Sequence, residues 1–535
     1  MIQQIDYFAI AAPLTLAIVA GLVLLLDAFL PARPRLRTGL GLVTLGGILT
    51  ALGFVVAQAV RGGRPPATFC VPEALTRGAG AVPPDAELCS FVADRFTLVF
   101  AGLVLVAAVV VVLMSMTELA AGGIPVGEWY FLLLCTLVGA VTLPAARDLV
   151  MLVVALELVS LPVFALTALK RYDGRGSEAA VKLFVVSVVS TAVMLFGVSL
   201  LYGVGGTVFL SRLGSVLGGA EPAPGLVEAG TAAPGLVGGG TGLPAVVTVG
   251  VVLVLAGFAF KIAAVPFHSW APDVYQGAPL PVAALLSVIS KAAGFAGLIL
   301  LLVTALAGQV AAWGPVIAVV AALTMSVGNL LAMRQRSAVR LLAWSSVAQS
   351  GYILAPIAVA SQFPGNGAAA SGTEVPVAGA VGASVAYLVI YAAMNLGAFA
   401  VVMLVSRVAV RNELDDYRGL ALRSPAAGLA LAFCLICLAG LPPGLAGLFA
   451  KVVVFRELVS GGAGWLAVVM AVNTVIGLYY YAVWTARLFT PGPAVVTRRP
   501  YAATWVAVGL AVVVAVAFSL APQLVFDLTA LSAPR

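Results

Sequence analysis

Apolar residues run along this chain in blocks of about twenty or more, and polar residues gather in the gaps between them. A helix needs about 20 apolar residues to cross a hydrocarbon core about 30 Å thick. On that measure hydropathy predicts about fourteen spans. They fall near residues 8–30, 38–60, 96–116, 126–145, 149–169, 179–203, 244–265, 279–305, 310–332, 341–360, 378–406, 425–458, 464–489 and 501–523. The first block has no basic n-region and no small-residue cleavage site, so it reads as a retained span rather than a signal peptide. The block at 425–458 contains "LAGLPPGLAGLFAK" and is expected to split into two half-helices around Pro442 and Pro443. Backbone broken at membrane depth is tolerated only where it is buried in protein or lines a polar cavity.

Composition narrows the class. The chain is 62% hydrophobic and 9% charged, with a mean hydropathy of +1.14, whereas soluble domains carry roughly 25% charged residues. The expectation is an all-α polytopic membrane protein without a soluble domain. The formal net charge of +7 comes from loop arginines. No basic block of the kind that binds nucleic acid is present. The basic loops "RPRLR" (33–37), "KRYDGR" (170–175), "RQRSAVR" (334–340), "RVAVRNELDDYRGLALR" (407–423) and "RR" (498–499) fall on one side of this arrangement. The positive-inside rule makes that side cytoplasmic and places both termini outside. The long opposite loops are 61–95 and 204–243. The second is Gly/Pro/Ala-rich and lacks the strand–glycine–helix context of a phosphate cradle.

Candidate chemistry comes from the lysines. Of five, Lys170 lies in a basic loop, while Lys182, Lys261, Lys291 and Lys451 lie inside predicted spans or at their breaks. Each mid-membrane lysine costs about 2.5–3.5 kcal/mol, so four cost on the order of 10–14 kcal/mol. Packing alone would not select that. Lysine also exchanges protons near neutral pH when desolvated, which arginine does not. Lys182 stands about a turn from a span edge, so snorkelling is its alternative reading. Glu157 lies mid-span, and a Glu157–Lys182 pair across adjacent helices would lower the desolvation cost of both; the alternative is a static ion pair that sets helix register. His268, the single histidine, follows Lys261 by seven residues and sits beside Pro266. It is a candidate for the same path, against the plainer reading of a structural histidine bonded to backbone.

The cysteines divide by position. "CLIC" at Cys434–Cys437 is embedded in apolar helix with no further ligands and reads as small apolar residues, not a metal or redox site. Cys70 and Cys89 bracket the loop between the second and third spans, on the side where disulfides persist. They are expected to bond, a staple that contributes about 3 kcal/mol in the chain-entropy model.

Three stretches, "FKIAAVPFHSWAPDVYQGAP", "GNLLAMRQRSAVRLLAWSSVAQSGY" and "LAGLPPGLAGLFAK", resemble the antiporter-like membrane subunits of proton-pumping NADH:quinone oxidoreductase, respiratory complex I. The likeness covers roughly residues 100–490, and "PDVYQGAP" is similar to the branch called subunit N, the counterpart of mitochondrial subunit 2. The resemblance implies fourteen helices with two inverted five-helix repeats: helices 1–3 over 1–120, one repeat over 121–306, the second over 307–490, and a last helix over 491–535. It implies a proton path through Glu157, Lys182, Lys261, Lys291 and Lys451. It also implies membrane-arm partners, including subunits M, K and J, besides lipids; the excess of arginine over lysine and the Ala/Gly/Val-rich composition point to a bacterial plasma membrane. The complex implied uses FMN, iron–sulfur clusters, NADH and quinone, with no cofactor expected on this chain. Relatives often carry a histidine in the "SSVAQSGY" stretch where this chain has Gln349, which can hold a water but cannot titrate. Either that histidine is not required as a carrier, or water and Ser350 cover the gap. A subunit of a multisubunit Na⁺/H⁺ antiporter shares the fold and many motifs and is the alternative.

Overall fold

A computed structural model describes residues 5–30, 34–72, 88–219, 244–359, 375–409, 411–492 and 502–530. The Gly/Pro/Ala-rich stretch from 220 to 243 and the arginines at 498–499 lie outside the described residues. The rest is almost entirely helical. In chain order come α1 (Ala11–Phe29), α2 (Pro34–Arg61), α3 (Arg95–Ala120), α4 (Val126–Thr142), α5 (Leu149–Ala168) and α6 (Gly174–Gly205). The short α7 (Leu210–Leu217) precedes α8 (Pro244–Lys261) and α9 (Trp270–Gly277). Next are α10 (Leu280–Ala305), α11 (Val310–Ala332), α12 (Ala338–Val359) and α13 (Val375–Ser406). The series closes with α14 (Pro425–Ala439), α15 (Leu445–Ser460), α16 (Gly464–Phe489), α17 (Ala502–Leu520) and α18 (Pro522–Thr529).

Among the described residues twelve helices are long and apolar enough to cross a membrane. Two apolar helices are shorter: Ala245–Lys261 within α8, and α14. Each of these ends at an interruption and is followed by a second helix. The interruption after α8 begins with Ala263 in the left-handed region (φ 55°), and Pro266 follows. The interruption after α14 turns at Gly440 (φ 82°) and contains Pro442 and Pro443. Proline removes a helix donor and clashes with the preceding turn, and glycine tolerates the left-handed cap. The block at 425–458 therefore divides as its prolines require.

The scarce carboxylates start helices. Asp94 accepts from Thr97 N at 2.9 Å, Asp148 from Met151 N at 2.7 Å, and Asp173 from Arg175 N at 3.1 Å, capping α3, α5 and α6. Each occupies an orphan N–H of the first turn. Loop ends sort to two ends of the bundle: Phe91 bridges to Ala146 and Asp148 to Phe209 at one end, while Ser337 bridges to Glu413 at the other. The first of these ends carries a two-stranded antiparallel hairpin, β1 (Ala67–Cys70) with β2 (Cys89–Val92), where Cys70 stands opposite Cys89. Their sulfurs are joined in a disulfide.

Helices α10 and α12 are buried on nearly every side, whereas α1, α6 and α17 show broad apolar faces outward. Glycine allows the close central packing. A Cβ at Gly328 of α11 would stand 2.5 Å from the backbone nitrogen of Ala348 in α12. Small residues let membrane helices approach in this way. The polar side chains are concentrated in that tight centre.

Candidate functional site

Three lysines end inside the bundle. Lys261, the last residue of α8, is 8% exposed, Lys291 of α10 is 1% exposed, and Lys451 of α15 is 8% exposed. A buried charge needs partners, because isolating it from water costs several kcal/mol. Each of the three has them.

Lys261 Nζ donates to Ser160 Oγ on α5. Ser160 stands one turn beyond Glu157, on the same helix face. Glu157 is half-buried, accepts from Thr191 Oγ1 of α6 at 2.9 Å, and lies near enough for its charge to act on Lys261. Ser160, Ser187, Ser290 and Lys261 line a cavity of about 20 Å³. A water needs about 10–15 Å³ and two to four polar partners, so one fits there.

Lys291 Nζ is 2.6 Å from Ser346 Oγ and 2.5 Å from Ser346 O on α12. Tyr391 of α13 donates to the same Ser346 hydroxyl at 2.8 Å, and its ring lies 5.8 Å from the ammonium. One turn along α12, Ser350 Oγ bonds Ile262 O at 2.6 Å and Ser346 O at 3.2 Å. Ser350 thereby ties the interruption after Lys261 to the acceptor that holds Lys291. Gly294 makes the approach possible, since a Cβ there would be 3.1 Å from Lys261 Cβ.

Lys451 Nζ donates to Ala439 O at 2.7 Å and Leu438 O at 3.2 Å. These are the last carbonyls of α14, the negative end of its dipole, where a cation is stabilised. The Tyr352 ring lies 5.7 Å from the same ammonium.

Between Lys291 and Lys451 runs a buried cluster of hydroxyls and amides that sequence reasoning missed, Gln349 and Ser350 apart. Tyr387 OH donates to Gln349 Oε1 at 2.7 Å, and Gln349 Nε2 donates to Tyr481 OH at 3.3 Å. Tyr481 shares a 2.5 Å hydrogen bond with Ser345 Oγ. The Tyr352 and Tyr387 rings stack at 5.9 Å. Asn329 accepts from Tyr480 OH at 2.9 Å and donates to Tyr352 OH at 3.3 Å. Gln349 is thus a two-sided connector. The one advance signal was the run of small polar residues in "SSVAQSGY".

Lys182 is placed differently from the expectation. It is 45% exposed and pairs with Glu178 at 2.8 Å and Asp273 at 3.1 Å, not with Glu157. Asp273 also takes Arg340 at 2.9 Å. The flexible arm of Lys182 reaches toward the basic-loop end of α6, where this cluster stands. Thr191, more than two turns deeper in α6, faces Glu157 instead. The buried lysines therefore number three, and Lys182 belongs to a partly exposed ion network. His268 is also set apart: it is half-buried in the turn before α9, 5.4 Å from the Trp344 ring. No group of three or more metal-ligating side chains occurs among the described residues.

The arrangement sets three buried ammoniums among hydroxyls and carbonyls, with Glu157 and one water-sized cavity beside Lys261. Residues 146–477 match a family model described as NADH:quinone oxidoreductase/Mrp antiporter, TM. The chain is 49% identical over 495 residues to NADH-quinone oxidoreductase subunit N 2 of Streptomyces griseus, covering 91% of this chain and 84% of that one. It is 44% identical to NADH-quinone oxidoreductase subunit N of Salinispora tropica, covering 94% and 88%. A chain of respiratory complex I from Thermus thermophilus superimposes with a TM-score of 0.70 at 28% identity, over 96% of this chain and 98% of that one. A chain of the Mrp complex from Dietzia reaches 0.78 at 21% identity, over 99% and 97%. The second score is higher, but at that identity it speaks to the fold alone.

Proposed function

The chain belongs to the NADH:quinone oxidoreductase/Mrp antiporter transmembrane family, and from that premise we propose how it does its work as a proton-translocating membrane subunit of NADH-quinone oxidoreductase. Protons move along a lateral line through Glu157, Lys261, Lys291 and Lys451. The observation that carries this reading is that each buried ammonium rests on a hydroxyl or on helix-end carbonyls, and that Ser350, Ser346, Tyr391, Gln349 and Tyr481 stand between them.

The steps follow from donor and acceptor roles. Lysine as an ammonium donates three hydrogen bonds; as an amine it accepts one. A proton leaving Lys261 finds Ser160 and the water-sized cavity beside it. One arriving at Lys291 is held by the Ser346 carbonyl and hydroxyl. At Lys451 the end of α14 stabilises the charged form. Glu157 is the charge nearest the start of the line, so its protonation state sets the field at Lys261. Lys182 acts at the basic-loop end, where its ion network with Asp273 and Arg340 gates entry.

The wider placement is part of the same proposal. The basic-loop end faces the cytoplasm of a bacterium, both termini lie outside, and residues 121–306 and 307–490 form the two inverted repeats. Subunits M, K and J are the neighbours, and the FMN, iron–sulfur, NADH and quinone chemistry lies on other subunits. The Na⁺/H⁺ antiporter reading shares the family model and the fold, but the Mrp chain is 21% identical where the oxidoreductase relatives are 49% and 44% identical. The decisive test is Lys261→Ala in the assembled complex. Proton pumping and coupled quinone reduction should both collapse; wild-type pumping overturns the path.

A further inference from the structure

A second site lies away from the lysines. A groove of about 1050 Å³ opens over α3, between α2 on one side and α13 and α17 on the other. Its floor is apolar: Leu98, Gly102 and Val106 of α3 face Val389 and Leu396 of α13 and Phe518 of α17. Its mouth, at the disulfide end, is polar and carries Arg61, Arg64 and Arg95 with Asp6 and Asp94. From Arg95 to Val110 the groove follows α3 for about 22 Å at 1.5 Å per residue. Half the hydrocarbon core is about 15 Å, so the groove runs from headgroup depth to beyond the midplane.

The charges at the mouth are not balanced by one another. Asp94 is already taken by the α3 cap and by Arg147 at 2.5 Å. Asp6 accepts from the backbone of Phe8 at 2.9 Å and Ala9 at 3.3 Å. Arg95 donates to the Asp527 carbonyl. Arg61 lies over the Phe8 ring at 5.0 Å, and neither Arg61 nor Arg64 pairs with a carboxylate among the described residues. Two exposed guanidiniums, without a carboxylate partner among the described residues, therefore stand at the polar end of a long apolar slot.

We propose that this groove is a built site for one anionic phospholipid, its phosphate on Arg61 and Arg64 and its acyl chains along α3. The chemistry of the occupant follows from the slot. Guanidinium binds phosphate with two parallel donors, and an apolar floor of this length excludes water and suits acyl chains. Gly102 deepens the floor: a Cβ there would meet nothing within 4 Å. The lipid would join α2 to α13 and α17, completing a face that the protein leaves concave. This inference does not depend on the proton path.

The test uses the whole complex in nanodiscs of phosphatidylcholine containing radiolabelled phosphatidylglycerol. After washing with phosphatidylcholine micelles, wild type should retain one labelled lipid that free inorganic phosphate does not displace. The Arg61→Gln/Arg64→Gln variant should lose that lipid, with retention weakened about thirtyfold for two basic contacts. Gly102→Leu fills the slot while leaving both arginines in place, and should lose the lipid too. Quinone reduction at wild-type rate reports that both variants are assembled. Should either fail to assemble, a map of the wild-type complex decides: acyl-chain density below a phosphate at Arg61 and Arg64 supports the site. Equal retention in either assembled variant, displacement by phosphate, or density for a protein segment in the groove overturns it.

Discussion

Lys451 Nζ stands 2.7 Å from the carbonyl oxygen of Ala439, twelve residues earlier in the chain and at the end of a different half-helix. The pair spans the break at Gly440–Gly444, so the same interruption that exposes the carbonyls also supplies their cation. Lys451→Met leaves both the Leu438 and Ala439 carbonyls buried without that donor, at about 1–3 kcal/mol for an unmet buried acceptor. Lys451→Arg keeps a charge that does not come off. The arginine variant should assemble yet pump at least about tenfold more slowly, a barrier of about 1.4 kcal/mol. Proton-to-electron ratios in proteoliposomes check this, and an unchanged ratio removes Lys451 from the path.

Ser160 is the hydroxyl on which Lys261 rests. Ser160→Ala should leave the fold intact, since alanine fits the helix, but remove an acceptor worth about 1.5–3 kcal/mol to a charged donor. Pumping should fall, and Ser160→Thr, which keeps the oxygen, should restore most of it. Equal pumping in the alanine and threonine variants would show that the hydroxyl plays no part in proton transfer.

Lys182 and Asp273 are in contact, whereas Glu157 bonds Thr191. Residues in contact couple, and separated ones add. Lys182→Met with Asp273→Asn should therefore be less than additive in pumping rate, while Glu157→Gln with Lys182→Met should be close to additive. A strong Glu157–Lys182 coupling would mean that the lysine arm turns inward during turnover.

The long elements were legible because a membrane helix announces itself by length and hydropathy, and the break within 425–458 by its prolines. Cys70 and Cys89 could be paired on the page because the remaining cysteines lie in apolar blocks. That Lys182 reaches Asp273 rather than Glu157 was not legible. Hydropathy places a Cα along the membrane normal but says nothing of which way a four-carbon arm leans, and Asp273 lies ninety-one residues away. The tyrosine and amide cluster was equally hidden. Tyr387, Tyr391 and Tyr481 sit in helices whose apolar character they scarcely alter, and only packing of α12, α13 and α16 turns their hydroxyls together.

Gln349 sits between Tyr387 and Tyr481 at 2.7 and 3.3 Å. Gln349→Leu strands the buried Tyr387 hydroxyl, at about 1–3 kcal/mol, while Tyr481 keeps Ser345, and should cut pumping together with stability. Gln349→His can still accept from one tyrosine and donate to the other, so it should pump far better than the leucine variant. If the two variants pump alike, a hydrogen-bonded connection at 349 is not needed.

The hairpin offers the clearest check on orientation. Cys70 and Cys89 enclose a segment with a sequence separation of 19 and are joined in the structure. β2 is tied into the bundle, because Arg147 N, just before α5, donates to Ser90 O at 2.8 Å. Removing the cross-link by Cys70→Ser/Cys89→Ser should cost about 3 kcal/mol in the chain-entropy model, felt first at the mouth of the groove over α3. In intact cells a membrane-impermeant maleimide should label Cys70 and Cys89 only after reduction. Cys135, Cys434 and Cys437, within apolar helices, should stay silent. Labelling without reductant would deny the disulfide. Labelling after reduction only in inverted vesicles would keep the disulfide but reverse the sidedness drawn from the arginines, and with it the direction assigned to the proton path.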